Sequence, residues 1–403
     1  MNRAESERLE SLFQHLGYLP TTTASEADLI VLNSCVVRQH AEDRIVNKIN
    51  NLKKLKNSTQ PPMLAVTGCL VDSNTTRLKH RFPHVDHFLK PGEYPTWLVK
   101  SKPFPILPQQ PSPSTYVPII QGCNNFCSYC VVPYRRGREK SRPVSEIVNE
   151  VKELARRGVK EVVLLGQNVD SYGHDLPDKP DLASLLYELN GIDGIIRIRF
   201  LTNHPKDMSE RLIEAIANLG KVCRQINLPV QAGDDKVLKA MGRGYSVESY
   251  RQLVARIRSQ VPDISMSTDI VVGFPSESEE QFQATVDLLR ELRFDSVHVA
   301  TYSPRPDTTA ARNLEDNVPP SVKKERLDTI ERLQKKIATE INGQLLGKTV
   351  EVLVEGKRKG RWHGRSRSGK LVFFSENGEL LGKIVKVKIE KTSPWALQGR
   401  IYG

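Results

Sequence analysis

At 403 residues the chain exceeds what one compact core can fill, and at roughly 150 residues per domain it predicts about three domains. Hydrophobic residues at 38% and charged residues at 26% are ordinary for a globular protein and exclude a disordered chain. No apolar run approaches the roughly 20 residues that a bilayer span needs, and the charged opening Met1–Phe13 has no apolar signal core. The sequence therefore predicts a cytoplasmic protein without membrane contact.

The net charge of +12, from 59 Lys and Arg against 47 Asp and Glu, is unevenly spread. Residues 343–403 hold 13 basic and 5 acidic side chains, a net of +8 that marks a candidate polyanion-binding region. The six cysteines are Cys35, Cys69, Cys123, Cys127, Cys130 and Cys223. In a reducing compartment a tight group of them points to metal or redox chemistry rather than to disulfides.

In chain order, apolar spacing predicts a helix over 5–16 and short buried strands over 28–33 and 63–67, within an N-terminal α/β sandwich domain of residues 1–100. Cys35 and Cys69 each follow the C-terminal end of such a strand, the edge where open α/β sheets bind ligands. Residues 101–115 are proline-dense and predict an extended linker. Over 116–341, strands at 117–121, 161–166, 195–201, 222–230, 264–272 and 294–301 alternate with helical patterns. The stripe Ile147, Val148, Val151, Leu154 and Ala155 stops at Gly158, and Ser278 to Gln281 has capping-box spacing. Six alternations predict a partial, open (β/α)6 barrel, since closure would take eight. A helix through Leu327, Ile330, Gln334, Ile337 and Ile341 leads to a seam near Asn342. From 342 to 403 the apolar period falls to two, as in Val385, Val387 and Ile389, which predicts a small antiparallel β-barrel with a hairpin turn at Glu376–Glu379. The fold class is α/β.

The sharpest chemical signal is Cys123-Asn-Asn-Phe-Cys127-Ser-Tyr-Cys130. Three thiolates so close on one loop can wrap a single iron–sulfur cluster and ligate three of its four irons, leaving the fourth open. A structural zinc site would need a further Cys or His, and no histidine lies nearby in sequence. The triplet follows the first barrel strand, at the mouth where such barrels place their active sites. Tyr129 either shields a cluster or packs its loop. Arg135, Arg136 and Arg138 beside the loop are candidate RNA phosphate contacts. In the basic stretch 357–367, Arg361 and Arg365 are candidates for the same role and Trp362 for stacking on a base. Exposed single-stranded loops are what RNA-binding proteins recognise by sequence. Cys223, inside a predicted strand, reads as a buried thiol rather than a metal ligand, and His204 as a packed loop residue or a proton shuttle.

The triplet after the first strand of a partial barrel resembles the radical S-adenosylmethionine (SAM) enzymes. The fuller string Gly122 to Pro143 is similar to their methylthiotransferase branch, nearest to those acting on N6-isopentenyladenosine in tRNA. The likeness runs on through Leu165–Val169, Asn203–Lys206, Leu228–Gln231, Ser267–Pro275 and Tyr302–Pro306, and the C-terminal barrel resembles a TRAM domain. The resemblance implies two [4Fe–4S] clusters. Cys123, Cys127 and Cys130 would hold the one whose open iron chelates SAM for reductive cleavage to a 5′-deoxyadenosyl radical. Cys35 and Cys69 would be two of three ligands to an auxiliary cluster that supplies sulfur. Gly166, Gln167 and Asn168 would contact SAM, with a tight strand–helix turn as the other reading. The resemblance also implies tRNA, through its anticodon stem-loop, as the partner, an electron donor such as flavodoxin or ferredoxin, an unidentified sulfur donor, and a monomer. The family's third auxiliary ligand lies in a Gly-Cys-Gln just before the segment that begins here at Met1. The expectation is therefore that this sequence starts at an internal methionine and that its auxiliary cluster is labile or incomplete. Related chemistry on threonylcarbamoyladenosine or on a ribosomal-protein aspartate is the nearest alternative; an RNA-binding protein with a structural iron–sulfur site is an alternative of another class.

Overall fold

The computed structural model describes residues 1–36, 39–71, 75–99, 107–108 and 110–402; residues 101–106 and 109 of the predicted linker lie outside them. The chain forms two compact units, one of residues 1–109, 121–139 and 303–312, the other of 110–120, 140–302 and 313–403.

In the first unit, α1 (Asn2–His15), β1 (Leu29–Ser34), α2 (Gln39–Leu52), β2 (Met63–Gly68), α3 (Thr75–Arg81) and β3 (His87–Phe88) build a parallel sheet of order β1-β2-β3. The central strand β2 is buried at every position after Met63, as expected of a parallel strand covered on both faces. Its core packs Leu64 and Val66 against Ile49 of α2 and Phe82 beyond α3. Pairing of Ser34 with Gly68 sets Cys35 and Cys69 at the ends of adjacent strands. Gly68, at φ +86°, permits this approach, because a Cβ there would lie 2.4 Å from the Ser34 carbonyl oxygen. The segment 121–139 adds the cysteine loop and a short helix, α4 (Val132–Arg136).

In the second unit, six parallel strands follow one another in chain order: β4 (Ser114–Pro118), β5 (Glu161–Leu165), β6 (Arg197–Phe200), β7 (Gln225–Asn227), β8 (Ser265–Val272) and β9 (Ser296–Thr301). A single bridge, Ile198 to Val222, joins the first three to the last three. This is the open barrel, with α5 (Val144–Arg156) closed by Gly158 at φ +88° and the Ser278–Gln281 capping box formed in both directions. Two strands depart from the sequence expectation. β4 starts at Ser114, inside the predicted linker, where the Ser114 hydroxyl donates to Glu161 at 2.8 Å. The predicted strand 222–230 shortens to Gln225–Asn227, and Pro229 has no N–H with which to continue the ladder.

The C-terminal residues close into a five-stranded barrel of Thr349–Arg358, Arg361–Ser366, Leu371–Phe374, Leu397–Ile401 and Ile384–Thr392, in that neighbour order. The predicted hairpin at Glu376–Glu379 is not one. The strands it connects are not neighbours, and Leu371–Phe374 pairs in parallel with Leu397–Ile401. The tight hairpin lies instead at Lys359-Gly360, where both residues have positive φ, as a type I′ turn requires.

This barrel is fastened to the starts of the parallel strands by two arginines that composition alone would assign to the surface. Arg197, fully buried, donates to the Arg365 carbonyl at 2.7 Å and to Glu351 Oε1 at 2.9 Å. Arg199 donates to Glu161 Oε2 at 2.9 Å and to the carbonyls of Arg367 at 2.9 Å and Ser366 at 2.5 Å. Lys370 reaches Asp295, just before β9, at 2.5 Å. The opposite, C-terminal edge of β5 and β6 carries the loops that hold Asn168 and Asn203. Replacing Arg199 with alanine leaves the buried Glu161 carboxylate unpaired, for which a loss of about 3–5 kcal/mol is expected. Urea unfolding with faster proteolysis near residue 343 would show it; a change within about 0.5 kcal/mol, as at an ordinary surface site, would contradict it.

Candidate metal centre

The cysteine loop is held by its backbone. Gly122, at φ +83°, brings the chain so near residues 137–138 that a Cβ would sit 2.0 Å from the Arg138 carbonyl oxygen. The Cys123 N–H donates to the Gly137 carbonyl at 3.2 Å, and the Cys130 N–H to the Cys127 carbonyl at 2.9 Å. Asn124 and Glu139 lock reciprocally: the Asn124 N–H donates to Glu139 Oε1 at 3.0 Å, and the Glu139 N–H to Asn124 Oδ1 at 3.3 Å. Behind the loop, the Ala310 N–H donates to the Ser128 carbonyl at 2.7 Å. Cys127 is buried, while Cys123 and Cys130 are part-buried. Burial pushes the Cys123 thiol up, partly offset by a hydrogen bond from the Asn125 backbone. Such a thiol gains from an electropositive iron centre that would hold it as thiolate.

Among the described residues, no three His, Cys, Asp or Glu side chains are grouped so that they could hold a single metal ion. A cube-type cluster asks something else, because each thiolate binds a different iron. Three thiols on one braced loop fit that demand. Cys35 and Cys69 form a separate pair in the same unit. Cys35 is exposed and Cys69 buried, its thiol pushed up by burial against the pull of Arg136.

Arg136 corrects the sequence reading. Its side chain is 2% exposed, so it cannot grip RNA phosphates. It donates through Nε to Cys69 Sγ at 3.3 Å, through Nη1 to Glu5 at 2.9 Å and through Nη2 to Asn2 at 2.8 Å. The helix that follows the cysteine triplet is thereby tied to the Cys35–Cys69 pair. Arg135 is mostly covered and lies 3.7 Å from Asp307, whereas Arg138 is exposed and rests on the Phe126 ring. Trp362 is the second correction. It is 3% exposed in the barrel core, with its ring N–H donating to the Glu376 carbonyl at 3.2 Å, so it has no face for a base. The alternation that put Trp362 inward put Phe373 on the wetter face, with the Arg361 guanidinium 5.5 Å from its centroid. Arg361 and Arg365 remain exposed.

In the second unit, Gly166 lies where a Cβ would meet the Ile120 side chain at 2.4 Å, so close packing requires glycine there. Asn168 is buried and donates through Nδ2 to Asp207 at 2.7 Å. Asn203 Nδ2 and the His204 N–H both donate to Asp170, at 2.5 and 2.9 Å. Three buried polar atoms here have no protein partner: Asn168 Oδ1, Asn203 Oδ1 and His204 Nε2. Orphans of this kind at the C-terminal edge of parallel strands are what a bound polar cofactor would satisfy. Gln167, also in this loop, is held by contacts of its own.

Burial raises the Asp170 carboxyl to about 7 and, with the Arg243 and Lys206 charges, lowers His204 to about 3. The two act on stability in opposite senses. The Asp170 contribution is full below its ordinary value of 3.8 and is lost as pH rises through about 7. The His204 contribution is full above 6.5 and is lost as pH falls toward about 3. The stability gap between the wild type and a His204→Gln variant should therefore shrink from pH 7 to pH 5. Thermal melts at both values check this, and a constant gap would refute it.

The radical SAM superfamily matches residues 117–289, the TRAM domain residues 343–402, and the uncharacterized protein family UPF0004 residues 1–90. A tRNA-2-methylthio-N(6)-dimethylallyladenosine synthase of Dehalococcoides mccartyi (strain CBDB1) is 55% identical over 401 residues, covering 100% of this chain and 96% of that protein. Its namesake in Chloroflexus aurantiacus is 49% identical over 413 residues, covering 99% and 89%. Among solved structures, a radical S-adenosylmethionine methyltransferase from Kitasatospora setae, with cobalamin and a [4Fe-4S] cluster bound, aligns at a TM-score of 0.53 and 16% identity over 83% of this chain and 69% of that one. That likeness is one of fold.

Proposed function

We propose, from membership of the tRNA-2-methylthio-N6-dimethylallyladenosine synthase family to which this chain belongs, that its braced cysteine loop is the catalytic centre of a radical SAM methylthiotransferase. The enzyme methylthiolates carbon 2 of N6-isopentenyladenosine in tRNA, with SAM and [4Fe–4S] clusters as cofactors. The residues that carry the work are our assignment. Cys123, Cys127 and Cys130 hold the SAM-binding cluster, supported by the three thiols on one braced loop. When bound, that cluster supplies the electron that cleaves SAM and so yields a radical able to attack a carbon–hydrogen bond no side-chain base could ionise.

The other steps belong to the protein. Asn168 and Asn203 offer unpaired buried carbonyl oxygens as acceptors, and His204, whose Nδ1 accepts from the Lys206 N–H, offers an unpaired Nε2–H donor; together they orient SAM's polar groups, and Gly166 and Gln167 shape the same loop. Cys35 and Cys69 hold the auxiliary cluster; Arg136 donates a hydrogen bond to the Cys69 sulfur, which favours its thiolate form, and Glu5 balances the guanidinium. Arg138, Arg361 and Arg365 neutralise phosphates of the anticodon stem-loop, with Phe373 in the stacking role first given to Trp362. The domains are residues 1–100, a linker from 101 that ends before β4 at Ser114, a radical SAM core to 341 and the TRAM barrel at 342–403. A flavodoxin- or ferredoxin-type donor supplies electrons to a cytoplasmic monomer. No helix among the described residues is long and apolar enough to cross a membrane.

The observation that carries this reading is the cysteine triplet on its braced loop. Cys127→Ala, reconstituted anaerobically, is expected to hold about four fewer irons per chain than the wild type. It should also form no 5′-deoxyadenosine from SAM and leave isopentenyladenosine unthiolated in tRNA nucleosides resolved by mass spectrometry. An iron content unchanged by the substitution would overturn the ligand assignment.

A further inference from the structure

Two aromatic rings on the cysteine loop and the helix after it face solvent, Phe126 at 39% exposure and Tyr134 at 36%. They meet edge to face, with centroids 6.2 Å apart and planes at 85°. Each has a guanidinium over it: Arg138 Cζ lies 4.2 Å from the Phe126 centroid and Arg312 Cζ 5.8 Å from that of Tyr134. Phe126 stands immediately before the cluster-ligand position Cys127 and adopts φ +48°, a conformation uncommon for a bulky side chain. Asp307 lies opposite Arg135, and Glu139 is, among the described residues, the one carboxylate set against the two guanidinium groups of Arg138 and Arg312, so the balance of charge at the rings is positive. This surface was not legible as a unit in the sequence, because Arg312 joins it from nearly two hundred residues downstream.

We propose that Phe126 and Tyr134, flanked by Arg138 and Arg312, form a stacking platform for one unpaired base of the RNA substrate beside the catalytic loop. The proposal rests on the tRNA reading above. An exposed ring next to guanidinium groups is the combination that single-stranded RNA recognition uses: a base lies on the ring while the cations meet the flanking phosphates. Arg138 already rests on the face of Phe126, so a base arriving there would release it toward a phosphate. A base held on the loop that carries the cluster would help keep its neighbour out of the stack, as chemistry on a base edge requires.

The test is a coupling measurement on the reconstituted holoenzyme. Binding of a fluorescein-labelled anticodon stem-loop RNA, and of versions carrying an abasic site at each unpaired loop position in turn, is followed by anisotropy for wild type, Phe126→Ala, Phe126→Leu and Tyr134→Ala. Base–aromatic stacking predicts a roughly tenfold rise in Kd for Phe126→Ala, with Phe126→Leu restoring only part of it. One abasic position should weaken wild-type binding by a similar factor and add nothing to the Phe126→Ala defect. Iron content and the visible cluster absorbance report on the loop; if Phe126→Ala loses iron, Tyr134→Ala carries the same cycle. Fully additive effects at every position, or unchanged affinity in both alanine variants while wild type binds, overturn the platform alone. Absence of RNA binding by the wild type overturns both the platform and the tRNA reading.

Discussion

The backbone of the cysteine loop is fixed by protein contacts that need no metal. Gly122 lets two chain segments approach more closely than a side chain would allow, and the reciprocal Asn124–Glu139 bonds then hold them. Three thiols on a slack loop would face the entropy of ordering at every binding event. On this loop much of that ordering is already done by ordinary hydrogen bonds. The Ala310–Ser128 bond extends the brace to a segment far away in sequence but in the same unit.

Buried guanidinium groups perform the joining that hydrophobic contact performs elsewhere. Arg136 ties the helix after the triplet to the buried thiol of the other cysteine pair, and Arg197 and Arg199 tie the C-terminal barrel to the starts of the parallel strands. Each has several acceptors, which is what a buried guanidinium needs if desolvation is not to exceed the attraction. The basic barrel is thus fixed to one end of the parallel strands, and the loops at their other end hold the orphaned polar atoms of Asn168, Asn203 and His204.

The order of elements was legible in the sequence because six parallel strands and their helices repeat a simple period, and the cysteine spacing needed no structure at all. The errors have physical causes. Arg136 and Arg138 are indistinguishable as members of a basic run, yet Arg136 closes α4 with its side chain buried, and Gly137, at φ +79°, turns the chain so that Arg138 lies in water. Trp362 sat in a basic, aromatic stretch that suggested stacking; strand alternation sent it to the core and Phe373 outward. The predicted hairpin at Glu376–Glu379 failed because an Asn-Gly pair favours a turn without deciding which strands become neighbours. The Phe126–Tyr134–Arg312 grouping depends on tertiary proximity, about which local pattern says nothing.

In the proposed site, three thiols of one loop would leave a cluster corner free for SAM. Electron–nuclear double resonance on the reduced, SAM-bound protein tests it directly, using SAM labelled with ¹⁷O in its carboxylate and ¹⁵N in its amino group. Hyperfine coupling from both nuclei to the cluster spin is the predicted result. A cluster signal with no coupling to either label would contradict the account.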